Sequence, residues 1–127
     1  MIARDIMTRN VFTTSPEVSV QEVAQLLVQK DISGVPVINR DGQIIGIVTE
    51  ADIIGKVDRE GLCVADIMTP ELIFVDEETP VGDIAMLLVE RKIKRVPVMR
   101  TGKLVGIVCR ADIVNAVAQG HLIIRHW

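Results

Sequence analysis

Two four-residue stretches hold the side chains best placed to do chemistry in this 127-residue chain: Thr49-Glu50-Ala51-Asp52 and Cys109-Arg110-Ala111-Asp112. In the first, a hydroxyl and a carboxylate stand three residues apart, where a β-branched run gives way to a helical pattern. The plain reading is an N-terminal helix cap. The functional reading uses the same geometry: a helix amino terminus offers free N–H groups and a positive dipole end to a phosphate, and an Asp carboxylate accepts from both hydroxyls of a ribose. The second stretch keeps Asp112 but has Cys109 where the hydroxyl would be, and Cys is a poor N-cap. That tilts the balance towards ligand binding without deciding it, because an Asp in a first helical turn is favoured by the dipole alone. Lys94 and Arg95 precede a strand and Arg110 follows Cys109, so folding can bring all three to one cleft, where Arg clamps a phosphate through two parallel hydrogen bonds. A solvated face of Lys and Arg following Glu90 accounts for them equally well. The first half has Ser33 and Gly34 at the matching places, so two unequal clefts are expected, with phosphate on the basic side.

Enzyme chemistry is not readable. A catalytic site would need a nucleophile with a base, a pair of carboxylates in a cleft, or a metal cluster. The histidines, His121 and His126, lie five apart in the tail with no carboxylate beside them, so neither a catalytic nor a metal role is expected. Cys63 and Cys109 form no CxxC and are expected as small buried hydrophobes in a reducing cytoplasm. A formal charge of −3 supplies no overall basic field, and nucleic acid is not an expected partner. Aromatics are only 2% of the chain, which leaves any base to be held by aliphatic side chains. The amino terminus lacks the apolar stretch of a signal peptide, and no apolar run approaches the roughly 20 residues of a membrane span. A cytoplasmic protein is expected.

The elements that must position these residues are written twice. Asp5-Ile6-Met7-Thr8 returns 61 positions on as Asp66-Ile67-Met68-Thr69, and Val35-Pro36-Val37 returns as Val96-Pro97-Val98. Gly46-Ile47-Val48 returns after only 60, as Gly106-Ile107-Val108, so one residue is lost between. The loss falls where Asn39-Arg40-Asp41-Gly42 is answered by Arg100-Thr101-Gly102, a hairpin tip. Val20, Val23, Ala24, Leu27 and Val28 make a helical stripe behind a Ser19/Glu22 capping box. Val81, Ile84, Ala85, Leu88 and Val89 repeat it, with Thr79 as N-cap and Pro80 at the first helical position. Short β-branched runs flank the first helix at Val11 to Thr14, Val35 to Ile38 and Ile44 to Thr49, and a second helix follows from Ala51. Each unit therefore reads β-α-β-β-α, an α/β arrangement (α+β by some schemes), with repeat 1 at 1–61 and repeat 2 at 62–127 including a C-terminal tail. About sixty residues is marginal for an independent core, so the copies are expected to pack together. Met7, Met68, Met86 and Met99 are expected to fill gaps in that core.

The ordered set "DIMT", "GVPV"/"RVPV" and "GIVTEAD"/"GIVCRAD", present twice from Asp5 to about Val117, resembles the cystathionine beta-synthase (CBS) domain, here as the tandem pair called a Bateman module. The resemblance implies two repeats joined sheet to sheet with pseudo-two-fold symmetry, with clefts for an adenosine compound such as AMP, ADP, ATP or S-adenosylmethionine. It implies a phosphate contact at Thr49 and a ribose contact at Asp52, and by correspondence Asp112 in the second copy, with Cys109 departing from the hydroxyl pattern. Val35, Pro36, Val96 and Pro97 would wall the adenine, and Thr8, Thr69 and Ile73, the last from the second copy's first strand, would complete the pockets. Such modules pair into a four-repeat disc, so a homodimer is expected, and they report to a partner domain or protein. The competing function is an interaction module that dimerises or docks without ligand, with Thr49, Asp52 and Asp112 acting only as caps.

Overall fold

A computed structural model describes residues 1–70 and 73–122. In chain order the elements are α1 (Ala3–Ile6), α2 (Val20–Lys30), β1 (Gly34–Ile38), β2 (Ile44–Thr49), α3 (Glu50–Ile54), α4 (Val64–Ile67), β3 (Val75–Asp76), α5 (Val81–Glu90), β4 (Arg95–Arg100), β5 (Lys103–Cys109) and α6 (Arg110–Ala118). The chain is a mixed α and β protein, and it divides into two compact units that do not follow the linear order of the repeats. Unit 1 joins Met1–Val11 to Ile73–Trp127, and unit 2 is Phe12–Leu72. The segment that opens each repeat, with α1 or α4, thus belongs with the body of the other repeat. The apolar tail beyond residue 122, with His126 and Trp127, lies outside the described residues.

Unit 1 holds a three-stranded sheet, order β3-β4-β5. β3 runs parallel to β4, joined to it by the crossover helix α5, and β4–β5 is an antiparallel hairpin. Unit 2 repeats the hairpin as β1–β2. The strand expected at Val11 to Thr14 is reduced to a single parallel bridge, Thr14 to Val37, and β3 is only Val75–Asp76. Proline explains the truncation. The Thr14 N–H donates to the Pro36 carbonyl at 3.0 Å and the Ile38 N–H donates back to the Thr14 carbonyl at 2.9 Å. The next rung of a parallel ladder would need an N–H from Pro36, which has none. Pro97 stands at the same place beside β3, and Ile73, expected within the first strand, lies ahead of it.

The hairpin tips account for the lost residue. Between Ile38 and Ile44 the Asn39 side chain closes a longer loop, its Oδ1 accepting from the N–H groups of Asp41 and Gln43 at 3.0 and 2.9 Å. Between Arg100 and Lys103 there are only Thr101 and Gly102, both at positive φ (48° and 78°), the signature of a tight two-residue hairpin.

Helix α2 starts as its sequence directs, with Ser19 Oγ accepting from the Glu22 N–H at 3.1 Å. Helix α5 starts one residue later than expected. Pro80 is extended (ψ 139°) and is itself the N-cap, while the Thr79 hydroxyl accepts from the Asp76 N–H at 3.1 Å in the turn before it. Val23 and Leu27 of α2 are buried with Val35, Val37 and Val48, and Ile84 and Leu88 of α5 are buried with Val96, Val98 and Val108. The stripes are narrower than expected: Val28 is 81% and Val89 75% exposed. Each stands one residue beyond Leu27 or Leu88, about 100° further round the helix and off the face that meets the sheet. Met7 and Met99 are buried and Met68 packs against its core, but Met86 is 61% exposed and fills no gap.

Candidate functional site

Each unit brings a set of the singled-out residues to the corner where the last strand of the hairpin enters the following helix. In unit 2 the centre is Asp52, half-buried on the first turn of α3. Its Oδ2 accepts from the Thr49 N–H at 2.8 Å and from the Thr49 hydroxyl at 3.1 Å, and its Oδ1 accepts from the Thr69 hydroxyl at 3.2 Å. Thr69 is held there by backbone: its N–H and carbonyl pair with Ile47 at 2.9 and 2.8 Å, on the edge of β2 away from β1. Gly46 makes that approach possible, since a Cβ there would lie 2.8 Å from the Met68 sulfur and 3.0 Å from the Thr69 carbonyl oxygen. Val35 and Pro36 are buried in β1, and Gly34 faces Thr49 across the ladder.

Unit 1 has the same frame with other side chains. Asp112 Oδ2 accepts from the Cys109 N–H at 2.7 Å. Thr8 pairs with Ile107 as Thr69 does with Ile47, at 2.9 and 3.0 Å, beside Gly106. Arg95 faces Cys109 across β4–β5. The Arg110 N–H donates to the Lys94 carbonyl at 3.0 Å, and its side-chain Nε donates to the Ile93 carbonyl at 3.2 Å. Lys94 and Arg110 are exposed, Arg95 is half-buried, and Val96 and Pro97 are buried in β4. Ile73 packs against the same core. Burial pushes the Cys109 thiol above the ordinary cysteine range, the Asp112 charge adds to this, and the Arg95 guanidinium opposes it.

The structure changes the weight of the cysteine. The cap at both corners is made by the Asp carboxylate on the backbone N–H three residues earlier, and the side chain of the N-cap residue is not needed for it. The same bond occurs at Asp5 to Ile2 and at Asp66 to Cys63, each 2.8 Å. Cys109 is therefore no argument against a cap, and all four aspartates cap. Asp52 and Asp112 differ from Asp5 and Asp66 in being half-buried rather than exposed. At Asp66, where the exposed carboxylate accepts from Cys63, the hydrogen bond to the backbone lowers its pKa.

One residue at these corners was missed by sequence reasoning. The Glu50 N–H donates to the Ser33 carbonyl at 3.0 Å, so Glu50 occupies in unit 2 the place of Arg110 in unit 1. The repeat offset of 60 already aligned the two. Among the described residues no group of three or more His, Cys, Asp or Glu side chains is arranged to hold a metal ion, and no helix is long and apolar enough to cross a membrane.

Two copies of one α/β frame, each with a capped, half-buried aspartate at its strand-to-helix corner, define a tandem-repeat domain class. The chain belongs to the CBS domain family, whose sequence model matches residues 3–59 and 64–119. It is similar to the chloroplastic CBS domain-containing protein CBSX1 of Arabidopsis thaliana, with 30% identity over 91% of this chain and 63% of that protein's length, so it spans only part of that relative. Among solved structures it is similar to CBSX2 in complex with AMP, with 34% identity over 95% of this chain and 98% of that one and a TM-score of 0.87. It is also similar to the CBS domain pair of protein MJ0100 in complex with 5′-methylthioadenosine and S-adenosyl-L-methionine, with 27% identity, coverage of 94% and 98%, and a TM-score of 0.86.

Proposed function

We propose that this chain is a non-catalytic regulatory module that binds an adenosine compound (AMP, ADP, ATP or S-adenosylmethionine) at the corners around Asp52 and Asp112 and passes its occupancy to a partner protein. The observation that carries this reading is the meeting of Asp112 with Lys94, Arg95 and Arg110 at one strand-to-helix corner of unit 1. There a carboxylate able to accept from ribose hydroxyls stands beside three cations suited to phosphate. Val96 and Pro97, both fully buried, form the apolar floor beneath the corner, Thr8 and Ile73 border it, and phosphate takes the basic side. Unit 2 offers Thr49, Asp52, Thr69, Val35 and Pro36. The adenosine ligands held by CBSX2 and by the MJ0100 domain pair support the ligand class.

The test is thermal stability of the chain with AMP, ADP, ATP and S-adenosylmethionine at equal concentration, followed with an extrinsic dye. A ligand at about 100 times its dissociation constant adds roughly 2.7 kcal/mol, a rise of several degrees for a domain of this size. No shift from any of them, with a cooperative melt, would overturn the reading.

A second reading, a dimerising module, is favoured by the exposed apolar side chains that recur at matching positions: Val28 with Val89, and Ile54 with Val114. A second copy of this chain is their natural cover, and the two readings are compatible. Light scattering that returns the mass of a single chain would remove the dimer. The two free cysteines accord with a reducing compartment, and a cytoplasmic location forms part of the proposal.

A further inference from the structure

The two corners share one backbone frame and carry opposite charge. In unit 1 the Arg110 N–H donates to the Lys94 carbonyl at 3.0 Å and Arg95 faces Cys109. In unit 2 the Glu50 N–H donates to the Ser33 carbonyl at 3.0 Å and Gly34 faces Thr49. The same three places on strand and helix thus hold Lys, Arg and Arg in one unit and Ser, Gly and Glu in the other. With the capping aspartates counted, these positions set three cations against a single carboxylate in unit 1 and hold two carboxylates and no cation in unit 2. Glu50 is exposed, and among the described residues no ion pair neutralises it.

We infer that Glu50 is a specificity-determining residue: it keeps phosphate out of the unit 2 corner, so that the chain takes one phosphorylated adenosine ligand, in unit 1, while unit 2 takes an adenosine compound without phosphate, uncharged or bearing a cationic sulfonium. This rests on the adenosine-binding reading given above. A carboxylate held at the place where the sister corner holds a guanidinium repels a phosphate through partly screened solvent, and reversing its charge changes phosphate affinity by about tenfold or more. The same carboxylate attracts a sulfonium and is nearly indifferent to a neutral nucleoside. A phosphate in unit 1 meets the reverse field. There Lys94 and Arg110 are exposed, and Arg95 is half-buried opposite Cys109.

The test is isothermal titration of the whole chain with AMP, and then with 5′-methylthioadenosine on the AMP-saturated protein, for the wild type and for Glu50→Arg, Glu50→Gln and Arg110→Glu. Both altered positions are exposed, and a melt of each variant checks its fold. The wild type is expected to bind one AMP per chain and still to accept methylthioadenosine. Glu50→Arg should create a second AMP site at least about tenfold tighter than any residual one, Glu50→Gln should fall between, and Arg110→Glu should weaken the first site by a similar factor. Two AMP sites of like affinity in the wild type, or a Glu50→Arg variant with unchanged AMP binding, would overturn the assignment while leaving the adenosine reading in place. A folded wild type that binds neither AMP nor methylthioadenosine would overturn both, and the absence of any heat with either ligand marks that case.

Discussion

Replacing Asp112 with Asn separates capping from ligand binding, which replacement with Ala does not. Since Asp112 Oδ2 caps the Cys109 N–H at 2.7 Å, Asp112→Ala must destabilise the chain whether or not a ligand binds there. The cost is about 1 kcal/mol, or a fall of roughly 3–6 °C in Tm. The Asn amide oxygen can still accept from the Cys109 N–H, so Asp112→Asn keeps the bond and loses only the charge at the helix end, about 0.5 kcal/mol or roughly 2–3 °C. The second oxygen, however, becomes an NH2 donor and can no longer accept from a hydroxyl. Loss of one hydrogen bond to a charged acceptor is worth about 1.5–3 kcal/mol, a weakening of roughly tenfold to a hundredfold in dissociation constant. At an AMP concentration that stabilises the wild type by roughly 2.7 kcal/mol, a thirtyfold weaker variant retains only about 0.9 kcal/mol. Thermal melts with and without AMP are therefore expected to show Asp112→Asn close to the wild type without ligand, and to lose about two-thirds of its ligand-induced shift. An AMP shift as large in Asp112→Asn as in the wild type would refute ribose recognition by this carboxylate and leave Asp112 as a cap.

Two further outcomes follow from the same corners. Gly106→Ala should destabilise the chain by about 1–3 kcal/mol in a denaturant melt, because the added Cβ would stand 2.5 Å from the Met7 sulfur and 3.0 Å from the Thr8 carbonyl oxygen; a neutral result would mean that the Thr8–Ile107 pairing yields easily. The Cys109 thiol, raised above the ordinary cysteine value by burial and by Asp112, is protonated at neutral pH, so its alkylation by iodoacetamide should lag behind that of free cysteine and accelerate only as pH rises through its elevated value. By the same sign, the stabilising effect of the neutral thiol is present below the ordinary cysteine value and lost as pH passes above the folded one; alkylation of Cys109 in a Cys63→Ser variant as fast as free cysteine at pH 7 would contradict this.

Much of the fold was legible because it is written twice. The offset of 61 that falls to 60 placed the hairpin, and the helical stripes placed α2 and α5. The hidden features are those that local pattern does not encode. The β-branched run at Val11 to Thr14 looks like a strand, but whether it pairs depends on the N–H that Pro36 lacks, twenty-odd residues away. Val28 and Val89 belong to the stripe by residue type, and only the width of the face meeting a small sheet decides that they stay exposed. At the corners, the spacing of Asp52 and Asp112 to Thr49 and Cys109 was enough to mark them as caps, which they are. Their similarity to Asp5 and Asp66 went unseen because Ile2 and Cys63 do not look like caps. Glu50 was overlooked because its own neighbourhood reads as an ordinary acidic first turn, and it acquires meaning only when laid on Arg110.

The order of motifs along the chain also conceals which of them work together. Thr69 opens the second repeat, yet its hydroxyl donates to Asp52 of the first, and Thr8 opens the first repeat, yet it pairs with Ile107 of the second. The exchange is possible because the opening segment adds to the free edge of the hairpin opposite β1 or β4, where a glycine admits its backbone. Each corner is thereby assembled from both repeats, and a substitution in one opening segment acts on the corner of the other repeat's body. Asp52 already has the Thr69 hydroxyl on its second oxygen, whereas Asp112, with Thr8 in the equivalent place, has no such bond among the described residues. On the proposed reading, a ribose entering unit 2 would displace or share Thr69, and one entering unit 1 would meet an Asp112 that carries only the Cys109 bond among the described residues. The two corners therefore differ in readiness as well as in charge, and both differences support the proposal that unit 1 takes the phosphorylated ligand.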